Sequence, residues 1–136
     1  MELLFAGCLL HEVATLTWMR YAVQPLAENL IMTEAALSKK CTTYCRLNNV
    51  LVWKMNSESQ RGFPDLLLLF PGGHIAFVEL KHPSGGGRLS ALQISTIKKM
   101  TNHGADVHVI DNYEAFKTMV ALRLDLTTAG RDHLPV

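Results

Sequence analysis

Asp65 closes the tetrapeptide Gly62-Phe63-Pro64-Asp65, and further along the chain Glu79 stands two positions before Lys81. An apolar run, Leu66 to Phe70, follows the aspartate. A Pro71-Gly72-Gly73 turn comes next, and then a second strand-like segment, His74 to Lys81, with the glutamate and lysine near its far end. Two strands folded back on a short turn bring their outer ends together. Two carboxylates and one ammonium therefore meet at one sheet edge, the set that metal-assisted phosphodiester hydrolysis requires.

Loop length decides whether the carboxylates meet. With Pro71 to Gly73 as a three-residue loop, Phe70 faces His74 and Asp65 faces Glu79. Directly opposed strand residues share a face, with Cβ atoms about 4.5–5.5 Å apart. Glu79 and Lys81 share that face by alternation. A two-residue loop would slip the register by one and send the carboxylates to opposite faces. Two bare carboxylates about 4 Å apart repel by roughly 4 kcal/mol at an effective dielectric of about 20. Something cationic must hold them, and oxygen-only ligands favour Mg²⁺ or Mn²⁺ over zinc.

The surrounding pattern supplies the elements that position these residues. A helix is expected from about Leu26 or Thr33 to Leu47, ended by Asn48-Asn49. Val50 to Met55 reads as a strand rich in β-branched and aromatic residues. The run Leu66 to Phe70, apolar at every position, reads as a central strand buried on both sides. His82 to Leu89 is a glycine-bearing loop. Ser90 is a good N-cap for a helix from Ala91 to His103, and Gly104 a good stop. Ala105 to Ile110 is a fourth strand, and Asp111 or Asn112 caps a last helix through about Leu124. The order helix, three strands, helix, strand, helix implies an α/β fold with a mixed four-stranded sheet flanked by helices.

At 136 residues the length is that of one domain. An apolar fraction of 49% and a charged fraction of 18% place the chain among ordinary globular proteins. A net charge of +1 does not by itself point to nucleic acid. Its distribution says more: residues 1–31 hold Arg20 against Glu2, Glu12 and Glu28, and residues 32–136 hold the other 12 basic and 9 acidic residues. Residues 1–31 form an apolar extension, expected to be helical. It lacks a basic start, and His11-Glu12 interrupts it, which argues against an export signal and a transmembrane span. It is either an extra packed helix or an upstream extension of a domain starting at Met32. The expected division is thus extension 1–31, domain 32–124 and tail 125–136. Cys8, Cys41 and Cys45 show no disulfide or zinc spacing and read as reduced thiols in a cytoplasmic protein. Gly85 to Gly87 lack a following Gly-Lys-Ser/Thr, so no nucleotide cofactor is expected.

Taken in order, Gly-x-Pro-Asp at 62–65, Glu-x-Lys at 79–81, Leu-Ser-x-x-Gln at 89–93 and the glycine-then-strand block from Gly104 to Ile110 resemble the PD-(D/E)XK nuclease superfamily. More narrowly they resemble its VRR-NUC (virus-type replication-repair nuclease) domain, over about Thr33 to Leu122. The resemblance implies a restriction-endonuclease-like core and Mg²⁺- or Mn²⁺-dependent cleavage of DNA. It also implies a homodimer acting on branched DNA such as four-way junctions, in a bacterial or phage-infected cell. Asp65 and Glu79 become metal ligands, completed by the Leu80 carbonyl and by Glu34 as the acidic residue of the first helix.

Each assignment competes with a simpler one. An aspartate after proline often only shapes a turn, and Glu34 in a first helical turn stabilises the helix dipole. Glu79 follows a run that should be buried, where an unpaired surface carboxylate is costly. Lys81 would position or activate the attacking water and stabilise charge on the phosphoryl oxygens. Gln93 would orient the water or Lys81. Lys54, Lys39, Lys40, Arg88, Lys98 and Lys99 are candidates for phosphate contacts, against solvated surface positions. Trp18 and Trp53 read as core or interface residues. A DNA-binding scaffold without turnover and a metal-dependent hydrolase of RNA are the competing functions.

Overall fold

The computed structural model describes residues 32–55, 61–85 and 87–129, with side chains to Leu126. The expectations for residues 1–31, including Cys8 and Trp18, and for residues 130–136 lie outside the described residues.

Helix α1, Glu34–Leu47, starts where Thr33 accepts the Ala36 N–H at 3.2 Å through its hydroxyl. Leu37, Cys41 and Cys45, four apart, form its buried stripe. Asn48 ends it by donating its side-chain amide to the Tyr44 carbonyl at 2.8 Å. The thiols of Cys41 and Cys45 are free, and burial pushes both up to about 12, so they are packed and inert.

The strands are β1 Leu51–Lys54, β2 Leu66–Leu69, β3 Ile75–Leu80 and β4 Asp106–Ile110, hydrogen-bonded in the order β1-β2-β3-β4. The first two pairings are antiparallel and the third is parallel. Helix α2, Ala91–Asn102, makes the crossover that a parallel pair requires. Helix α3 runs from Tyr113 to Ala129, five residues beyond the expected end. Its N-cap is Asn112, which accepts the Ala115 N–H at 2.7 Å. The observed order is the expected α-β-β-β-α-β-α.

Register follows the three-residue loop. Phe70 donates its N–H to His74 at 2.9 Å, Gly73 donates back to Phe70 at 3.0 Å, and Leu66 pairs with Val78. Continued by one residue, this pairing sets Asp65 opposite Glu79. One sheet face carries Leu66, Leu68, Phe70, Ala76, Val78 and Leu80, all buried in a core with residues of α1 and α3. The other face is different. Leu67 and Leu69 are only half-buried, so β2 is central but not sealed on both sides as its composition suggested. Helix α2 packs chiefly beside β4, has no fully buried residue and leaves Leu92 and Ile94 about half exposed. Trp53 on edge strand β1 is likewise half exposed, not core.

Candidate functional site

Glu79 is the centre of the arrangement. Strand alternation puts it on the α2 face, and it is 1% exposed, one of two buried polar or charged residues among those described. Its Oε1 accepts from the Lys81 ammonium at 2.8 Å and from the Gln93 side-chain amide. Its Oε2 is equally buried and has no hydrogen-bond partner among the described residues. Burial drives the Glu79 carboxyl above the ordinary carboxylate range. The Lys81 hydrogen bond opposes the shift, while the charges of Asp65 and Glu34 add to it.

Asp65 is held from both sides. Its Oδ2 accepts the Leu80 N–H at 2.8 Å, and its carbonyl accepts the Met55 N–H at 2.8 Å. The preceding turn is set by Gly62, whose φ of +83° suits glycine. A Cβ there would lie 2.6 Å from the Leu92 side chain, so the first turn of α2 presses directly on the Gly-Phe-Pro-Asp turn. Phe63 packs edge-on against Phe77 at 5.6 Å, and Pro64 is fully buried.

On the α1 side, Glu34, Ala35, Ser38, Lys54, Asp65, Leu66 and Leu80 line an open cleft of about 260 Å³. The site therefore has two parts. Glu34, Lys54 and Asp65 face an open cleft, whereas Glu79, Lys81 and Gln93 are packed together on the α2 side, and the Asp65–Leu80 hydrogen bond links the two. The sequence suggested one small convergent volume. Among the described residues, no three His, Cys, Asp or Glu side chains come together closely enough to hold a metal ion. What is present is a pair of carboxylates, Asp65 and Glu79, whose charges act on one another, with Glu34 lining the cleft beside Asp65. The donor chemistry suits a hard divalent cation, since all the atoms are oxygen and one buried acceptor is unsatisfied.

Lys81 is held at both ends. Its side chain is 12% exposed, and its ammonium also donates to Gln93 Oε1 at 3.2 Å. Its stem is flanked by Gly87, where a Cβ would lie 2.9 Å from the His82 nitrogen and 3.1 Å from Lys81 Cβ. Glycine at 87 is thus a matter of space rather than loop flexibility. The sequence shows only a glycine-bearing loop there. Ser90 was read only as a helix cap, although the Ser-x-x-Gln spacing is that of a capping box and places the Gln93 side chain back over the helix start.

The basic candidates separate. Lys54 reaches the cleft. Lys39, Arg88, Lys98 and Lys99 are exposed and do not line it. Lys40 lies 5.5 Å over the Tyr113 ring at the start of α3, which gives it a packing partner there. No helix among the described residues is long and apolar enough to cross a membrane.

Comparison with known proteins gives the same family from two directions. The family model of the VRR-NUC domain matches residues 11–112, beginning upstream of the motifs read from the sequence. A solved structure described as a VRR_NUC domain is similar, with a TM-score of 0.59 and 25% identity over 66% of this chain and 97% of that one. No curated protein matches.

Proposed function

The chain belongs to the VRR-NUC domain family and has its nuclease-type fold, and from that premise we propose that it is a Mg²⁺-dependent endonuclease of DNA, with branched or junction DNA as substrate and Mn²⁺ as a working substitute. One observation carries the reading: Glu79 is 1% exposed and yet its Oε2 has no hydrogen bond among the described residues. A buried acceptor left unmade costs about 1–3 kcal/mol, more when charged. Such a group persists when something outside the chain completes it.

Asp65, Glu79 and the Leu80 carbonyl would hold the ion, with Glu34 on the wall of the adjoining cleft. When bound, a divalent cation lowers the pKa of a water molecule and polarises the phosphate. The chain's own residues supply the rest. Lys81, fixed between Glu79 and Gln93, is an ammonium held in place for the charge that builds on phosphoryl oxygens. Its short stem contacts and single point charge suit that task better than an arginine fork would. Gln93 keeps Lys81 and Glu79 in a fixed relation by contacting both. Lys54 gives the open cleft a cationic wall against a backbone phosphate. The exposed Lys39, Arg88, Lys98 and Lys99 add non-specific attraction that salt weakens. Two active sites at a fixed spacing, hence a homodimer, suit a junction substrate.

The test is cleavage of four-way junction, flap and duplex DNA, beside RNA of the same sequence, with Mg²⁺ and with Mn²⁺, together with solution mass. Preferential cutting of branched DNA by a dimer is expected. Absence of cutting of every DNA with either ion would reject the nuclease, RNA-selective cutting would reject the DNA assignment, and a monomer that cuts junctions would reject the dimer.

A further inference from the structure

We propose that Ser90 is a positioning residue of the active site: its backbone N–H fixes which way round the Gln93 side-chain amide sits. The inference rests on the nuclease reading for its consequence, but its geometry stands without it. Ser90 and Gln93 form a complete capping box at the start of α2. The Ser90 hydroxyl accepts the Gln93 N–H at 3.2 Å, and the Ser90 N–H donates to Gln93 Oε1 at 2.8 Å. That same Oε1 accepts from Lys81 at 3.2 Å, while the amide nitrogen donates to Glu79 Oε1.

Every contact selects one orientation. Turned over, the amide would set its oxygen against the Glu79 carboxylate and its NH₂ against two donors, the Lys81 ammonium and the Ser90 N–H. The three anchors are not equivalent. Lys81 and Glu79 are side chains that the reaction proposed above engages with phosphate and cation. The Ser90 N–H is backbone, carries no titratable proton and belongs to a helix start already held by its own cap. When the Lys81 ammonium gives its hydrogen bonds to a phosphate, Ser90 keeps Gln93 Oε1 occupied and the amide NH₂ on Glu79 Oε1. Oε2, the oxygen without a partner, stays directed to its own task. A motif that reads in sequence as helix punctuation thereby becomes part of the site.

The two halves of the box separate by mutation in the full-length chain. Ser90→Ala removes the hydroxyl and keeps the N–H. Ser90→Pro removes both, and a φ of −69° at this position matches the proline ring. Ser90→Thr keeps both. A backbone ester at position 90, made by incorporating the α-hydroxy analogue, deletes only the N–H and serves where the proline variant does not fold. Hydrogen exchange of the Gln93 side-chain NH₂, followed by NMR without metal, is the first readout. It is expected to be about fivefold faster in Ser90→Pro or the ester than in Ser90→Ala, the size of one ordinary hydrogen bond. The second readout is Mg²⁺-dependent cleavage, where kcat should fall by a similar factor with KM unchanged, and Ser90→Thr should match the unaltered chain. Equal exchange in Ser90→Ala and in the variant lacking the N–H overturns the proposal, as does a kcat loss that merely tracks a lower melting temperature. If the unaltered chain fails to cleave any DNA while the exchange difference holds, the nuclease reading falls and the positioning role stands.

Discussion

Two carboxylates sit at opposite ends of one strand pair and are treated in opposite ways. Glu79 lies opposite Val109 near the exit of β3, and Asp106 lies opposite Ala76 near its entry. Asp106 is surrounded by donors. Arg123 grips it with two hydrogen bonds, at 2.7 and 3.0 Å, His74 reaches Oδ2 at 2.9 Å, and His108 reaches Oδ1 at 2.6 Å. The Arg123 hydrogen bond leads in holding its carboxyl well below the usual range. Glu79 is more deeply buried, has one oxygen orphaned, and is shifted the other way. A carboxylate that ties elements together is saturated by the chain itself. Glu79, which the proposed reading reserves for a cation, is left incomplete.

The largest effect that would sharpen this contrast is on catalysis. Asp65→Ala and Glu79→Ala should each lower Mg²⁺-dependent cleavage by at least about 100-fold, the scale of losing a central electrostatic element. Arg123→Met should leave the cleavage rate within about twofold, yet destabilise the fold by roughly 1.5–3 kcal/mol, the range for charged hydrogen bonds. Chemical denaturation of both sets separates the roles. If Arg123→Met removed cleavage from a folded protein, the division between the two ends would fail.

A pH experiment sharpens the same contrast with opposite signs. Asp106 has a lowered folded pKa, so its contribution is present above its unfolded value near 3.8 and is lost as pH falls through the folded one. Glu79 has a raised folded pKa, so the metal-free protein should gain stability as pH falls through that value towards 4.5. Glu79→Gln should abolish this gain and make the metal-free protein more stable at neutral pH. Denaturation midpoints between neutrality and pH 5 check it, and identical profiles for the two proteins would contradict the assignment.

How far the sequence reading reached depends on distance along the chain. The Asp65–Glu79 register was legible because one short turn and strict alternation determine it, and the Thr33 and Ser90 caps because capping is local. The helix covering of β2 was not. Leu66 to Phe70 shows five apolar residues, but whether both faces are sealed depends on how closely α2 docks. The division of the site into an open cleft and a buried half was hidden for a related reason. Register places Asp65 opposite Glu79, but the hydrogen bond from Leu80 N–H decides where the Asp65 oxygens go. The Asp106 cluster draws on His74, His108 and Arg123 from three elements, and no spacing announces it. The close approach at Gly87 was not legible, because glycine marks both mobility and tight contact.

That last point yields the smallest expected effect. Gly87→Ala would push a methyl against the His82 nitrogen and the Lys81 stem. Displacing Lys81 should lower kcat by about tenfold, as misplacement of a catalytic group does at modest scale, with little change in melting temperature. Gly85→Ala, where an added Cβ meets nothing within 4 Å but φ is +73°, is the control for backbone strain in the loop without crowding of Lys81. A Gly87→Ala protein as active as the control would show that Lys81 is not held from that side.

The most direct measurement is Mn²⁺ binding by calorimetry to the full-length chain, Glu79→Gln, Asp65→Asn and Arg123→Met. Binding at one site per chain that disappears in the first two variants and survives in the third is the expected result. Unchanged Mn²⁺ affinity in both Glu79→Gln and Asp65→Asn would contradict the claim that the incomplete carboxylate at the end of β3 exists to hold a divalent cation.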